Sequence, residues 1–150
     1  AWITAMGGDC TTIDSTKKQT TSKKSENENC RWKKGCWELG LQAQELDIGN
    51  MVVYDNYLLC NCFNVIGEGD KALNALLPLQ HTEYHWWNTQ VGIAYHMAGN
   101  KDKAEFHLQK TQKLLKTNKL DDLRGHFVIW NMTKQIWPVY EPILRTYGWI

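Results

Sequence analysis

The chain writes the same punctuation twice. Gly67-Glu68-Gly69-Asp70-Lys71-Ala72 and Gly99-Asn100-Lys101-Asp102-Lys103-Ala104 share the pattern Gly-x-x-Asp-Lys-Ala at an offset of 32 residues, about one helical hairpin. Phe63 and Tyr95 stand at matching places ahead of the two glycines. Each residue type answers a local demand. A large aromatic fills the space between two helices, and a glycine lets the chain turn sharply. An Asp caps the second helix, and an alanine permits close helix contact. A chain that repeats this pattern is expected to stack helical hairpins.

The remaining segments read as helices of the same kind. "CWELGLQAQELDIGN" predicts a helix over 36–48, with Trp37, Leu41 and Ile48 near one stripe and Gly49 as its stop. The next begins at a capping Asn50 and runs apolar to Gly67. "DKALNALLPLQ" is capped by Asp70 and limited by Pro78. The expected antiparallel pairs are 50–66 with 70–80, and 84–98 with 102–116, Ala72 lying on Cys60 and Ala104 on Gly92. A further helix over 119–136 is expected to stop at Pro138, and the tail "VYEPILRTYGWI" to pack down as a short helix or turn. No segment shows sustained strand alternation, so the fold class is all-α.

From Cys10 to Asn29 the text is dominated by Thr, Ser, Lys, Asn and Glu, which cannot bury enough apolar area to offset its ordering entropy. Residues 1–35 therefore read as a polar, flexible N-terminal segment, and 36–150 as the helical domain. The lysine pairs Lys17-Lys18, Lys23-Lys24 and Lys33-Lys34 have no aromatic stacking residues alternating among them. With a formal net charge of +1, no nucleic-acid partner is expected. No apolar run approaches the roughly 18 residues a membrane span needs, so no membrane insertion is expected.

The five cysteines, Cys10, Cys30, Cys36, Cys60 and Cys62, are odd in number, so at least one is unpaired within the chain. Cys30 and Cys36 could bridge, or either could pair with Cys10. Cys60 and Cys62 diverge on one helix and cannot bridge each other. No CxxC spacing occurs, so no structural zinc is expected. The cytoplasm is the favoured compartment and export the alternative.

The doubled unit resembles the tetratricopeptide repeat family, over roughly Val53 to Asn118. That family's pattern is Trp, Leu-Gly and Tyr on the first helix, then Ala and a large apolar residue on the second. The second copy supplies Val91, Gly92, Tyr95, Ala104 and Leu108; the first supplies Leu59, Cys60, Phe63, Ala72 and Leu76. Asn56 and Asn88 stand where Trp is usual, and Lys116 and Tyr84 replace the terminal Pro. The resemblance implies a short right-handed helical-hairpin repeat with flanking capping helices. It implies a concave groove lined by first helices, here Tyr54, Tyr57, Asn61 and Asn64, then Trp86, Thr89, Ile93 and His96. Such a groove suits a protein or peptide partner, since aromatics anchor and asparagines bond its backbone. Tyr57 stands where members that grip terminal carboxylates carry Lys, so that mode is not expected here.

Catalytic patterns are thin. His81, Glu83 and His85 in "HTEYH" have metal-like spacing but straddle a helix start with no third ligand, so a surface turn is the reading. His96 and His107 are candidates to approach one another, read as a solvent-facing or groove pair. No phosphate loop, nucleophile elbow or HExxH occurs. The expected function is a non-enzymatic protein- or peptide-binding module with no metal and no cofactor. The alternative is a small exported, disulfide-containing helical protein of inhibitor or immunity type.

Overall fold

The computed structural model describes residues 52–128 and 133–150, together with Glu45. The expected N-terminal segment, the helix over 36–48 apart from Glu45, Gly49 and the Asn50 cap lie outside that set. Six α-helices follow in order: α1 (Val52–Val65), α2 (Gly69–Leu76), α3 (His85–Met97), α4 (Lys101–Leu115), α5 (Leu120–Val128) and α6 (Thr133–Thr146), with a 3-10 turn at Leu77–Leu79 after α2. The described residues contain no strand.

The two hairpins close alike, bond for bond. Gly67 and Gly99 take left-handed φ angles of 80° and 83°, which glycine adopts without a Cβ penalty. Glu68 N donates to Phe63 O and Asn100 N to Tyr95 O, both at 2.9 Å. Ala72 N donates to Glu68 O and Ala104 N to Asn100 O. Lys71 lies over the Phe63 ring and Lys103 over the Tyr95 ring, 5.9 and 5.2 Å from the centroids. The 32-residue offset of the text is therefore a 32-residue offset of geometry.

The expected Asp caps are corrected by two positions in each hairpin. Glu68 and Asn100 are the N-cap residues; the Asn100 side chain accepts from Lys103 N at 3.2 Å, whereas Glu68 makes no such bond. Asp70 and Asp102 sit in the first turns, where a carboxylate still meets the positive end of the helix dipole.

Small residues set how closely the helices approach. A Cβ at Gly69 would meet the backbone of Ala94, Met97 and Ala98, so α2 starts directly against the end of α3. One at Gly92 would lie 2.7 Å from Leu108 Cγ and 3.3 Å from Ala104 O, so α3 and α4 interlock at the expected Gly92–Ala104 contact. Trp87 Nε1 donates to Leu76 O at 2.8 Å, joining the second hairpin to the first.

Pro138 does not stop a helix. It lies inside α6 with Pro142 one turn on, and both are exposed while Ile136, Trp137, Tyr140, Ile143 and Leu144 are buried. A proline frees the carbonyl four residues before it, at little cost where that carbonyl meets solvent. The expected tail is thus the second half of a 14-residue helix. The chain end is tied back through Leu120 N to Ile150 O at 2.7 Å and Ile150 N to Asn118 O at 2.9 Å.

Candidate functional site

The residues assigned to a groove stand mostly inside the protein. Tyr57 is 8% exposed and Trp86 9%, while Asn61, Asn64, Thr89 and Ile93 are buried further still. The face that the resemblance makes a groove is covered, because α5 and α6 lie on it. The Tyr140 hydroxyl of α6 donates to Asn61 Oδ1 at 2.6 Å and accepts from Asn64 Nδ2 at 3.0 Å. Asn64 Nδ2 also reaches Gln90 O at 3.1 Å. Trp86 of α3 meets Phe127 of α5 with ring centroids 4.6 Å apart. The two asparagines do bond a helix through its polar atom, and that helix belongs to the same chain.

Three residues part from the group. The Thr89 hydroxyl reaches His85 O at 2.8 Å and Thr111 of α4 at 3.3 Å, so it faces the hairpin interior. His96 is half-buried and bonds the Tyr147 hydroxyl through Nδ1 at 2.8 Å. Tyr54 remains 47% exposed.

Around Tyr54 an aromatic rim forms. Tyr84, in the loop before α3, is 44% exposed. Burial, then the neighbouring Tyr54, pushes its phenol above the ordinary range. Tyr57 lies beneath, edge-on to Tyr84 with centroids 6.1 Å apart, and its hydroxyl bonds His81 Nδ1 at 2.9 Å. Val53 and Leu77 are the other large apolar residues exposed on α1 and the 3-10 turn. Tyr84 and His81 were legible only as a turn; that the turn folds onto α1 depends on pairings 24 residues apart.

The histidines turn to separate partners. His81 turns to Tyr57 and His85 to His126, whose ring centroid is 4.7 Å from its own. His107 donates through Nδ1 to Asn88 Oδ1 at 3.0 Å and stacks on Tyr95, while His96 goes to Tyr147. Asn88, where the family pattern carries Trp, spends its Nδ2 on Thr82 O and Tyr84 O. It holds the aromatic loop against α3 by hydrogen bonds. Among the described residues no group of three or more His, Cys, Asp or Glu could hold a metal ion, and no helix is long and apolar enough to cross a membrane.

The remaining reactive groups are held neutral. Cys60 is a free, fully buried thiol, pushed well up by burial, which makes it a poor nucleophile. Burial likewise pushes the phenols of Tyr57 and Tyr140 upward. Cys62 is disulfide-bonded. What this face offers is packing and neutral hydrogen bonding. Comparison of the chain with protein-family models, with curated proteins and with solved structures finds no match.

Proposed function

We propose that this chain is a non-enzymatic protein-interaction module of the tetratricopeptide-like kind. The hairpins α1–α2 and α3–α4 are its two repeats, and α5 and α6 are the helices that close its concave side. The matched glycine turns and the Lys–aromatic contacts at both copies support the repeat. The observation that carries the function is the pair of exposed tyrosines Tyr54 and Tyr84, neighbours by their electrostatic influence, with Tyr84 edge-on to the buried Tyr57. Tyrosines buried by a partner contribute large area at low entropic cost and keep a hydroxyl for hydrogen bonding. The partner is a protein or peptide that supplies an apolar side chain and backbone carbonyls to this rim.

The test compares three versions of the full chain for co-purification of one and the same partner. Tyr54→Ala with Tyr84→Ala should lose it while melting within a few degrees of the parent. Phe106→Ala, which trims an aromatic 63% exposed on α4, should keep it. Retention by the double tyrosine variant would refute the rim.

One observation favours the exported alternative. The Cys62 disulfide is the kind of bond that persists in oxidising compartments. A thiol count on protein taken from its native source, denatured without reductant, distinguishes the readings. Fewer than five free thiols supports export, and five supports a reducing cytoplasm.

A further inference from the structure

His85 and His126 sit where α5 meets α3, their ring centroids 4.7 Å apart and the planes tilted by 54°. Next to them on the same two helices is the Trp86–Phe127 contact that seats α5 on the concave side. Nε2 of His85 is buried without a hydrogen-bond partner among the described residues. Among the described residues no acceptor waits there for a proton. From the loop before α3, Tyr84 packs on His85 at 5.1 Å, and Glu83 of that loop turns to Lys110 of α4 at 2.6 Å. From α1, Tyr57 stands edge-on to Tyr84, its phenol pushed above the ordinary range by burial. The one ionisable group from α5 that acts on His85 is another histidine.

We propose that the His85–His126 pair is an acid-sensitive latch: protonation at this pair detaches α5 from α3 and uncovers the concave side of the hairpins. Two imidazolium rings at this distance repel, and a charged His85 would lie against Trp86 with nothing to accept from its buried nitrogen. Burial, with His126 second, pushes His85 down to about 4 in the closed state. Once α5 has left, the ring is solvated and returns to about 6.5, the ordinary histidine value. The open form therefore binds a proton that the closed form refuses. Opening gains from acid between those two values, by at most about tenfold per pH unit, and neither gains nor loses above about 6.5. The latch rests on this packing alone and stands whether or not the Tyr54–Tyr84 rim takes a partner.

Hydrogen exchange of the full chain, with the intrinsic rates divided out, reads the opening directly. In the parent, amides of Leu123 to Val128 should lose protection steadily from pH 6.5 to 4.5, beyond any loss in α1 and α2. In His85→Gln with His126→Gln, α5 should hold the same protection across that range. Flat protection of α5 in the parent, or an equal slope in the double variant, would overturn the latch. NMR titration of the His85 ring provides a second reading in the parent fold. Its midpoint should lie well below the ordinary value and move up in His126→Gln, and an unmoved midpoint would overturn the pair as the sensor.

Discussion

Trp86 of α3 stands edge-on to Phe127 of α5, with ring centroids 4.6 Å apart. That contact decides whether the face of α3 under α5 is open or core. An aromatic that closes against its own chain is core, and its removal acts on stability before it acts on any partner. Trp86→Ala should cost about 3–5 kcal/mol, as for large aromatics truncated in a core. Combined with Tyr57→Ala it should lower the melting temperature by more than about 10 °C, taking about 2–4 °C per kcal/mol for a chain of this size. Thermal denaturation followed by circular dichroism checks this, and a melting temperature within a few degrees of the parent would return these residues to an open groove.

The glycines at the two ends of the first turn should respond differently. Gly67 has a left-handed φ of 80° with open space around it, so Gly67→Ala meets only the backbone penalty, about 1–2 kcal/mol. Gly69 has no such φ, but a Cβ there would run into the backbone at the end of α3. Gly69→Ala should therefore be the worse change, because backbone cannot step aside without shifting the second hairpin. Urea denaturation of the two variants gives the order.

The pattern of what could be read from the sequence follows from range. The hairpin turns were legible because Phe63, Gly67 and Ala72, or Tyr95, Gly99 and Ala104, act within a few residues of one another. The cap was misplaced on Asp70 and Asp102 because a short polar residue near a helix start suits both the cap and the first turn. Pro138 was read as a stop since the rule assumes a helix interior, and the text does not say that this face of α6 meets solvent. That the chain itself covers this face was not legible for a different reason. Asn64 meets Tyr140 across 76 residues of chain, and no local periodicity says that a later helix will return to cover an earlier one.

Acid should weaken the second hairpin as well as the latch. Burial first, then Lys110 and Lys103, pushes His107 down to about 4. The ring is therefore neutral in the folded chain, where it donates to Asn88 and stacks on Tyr95. An unfolded chain takes up that proton below about 6.5. Stability is thus unaffected by this group above about pH 6.5, falls between there and about 4, and levels off below. Melting temperatures measured from pH 7.5 to 4 should trace that fall, and His107→Gln should make it shallower.

Cys60 should resist modification for as long as α6 stays in place. Its thiol lies beside the Asn64 side chain, 3.6 Å from Nδ2, on the side that Tyr140 closes, and burial pushes it well up. Alkylation at neutral pH should be slow in the parent and faster in Tyr140→Ala, which removes the buried phenol bonded to its neighbour Asn64. Peptide mapping after a timed pulse of iodoacetamide measures both.

The packing of α6 over α1 is most directly tested at Asn61 and Tyr140, whose 2.6 Å hydrogen bond joins the two helices. Tyr140→Phe keeps the ring and deletes the hydroxyl, and Asn61→Ala removes the acceptor. Each should destabilise by about 1–3 kcal/mol, the usual cost of leaving a buried polar group unpaired. Denaturant titrations of the parent, both single variants and the double variant complete a double-mutant cycle. A coupling energy of about 0.5–3 kcal/mol, the range for residues in direct contact, is the expected result. Additive losses with no coupling would mean that α6 does not lie on α1, and that this face of α1 is open after all.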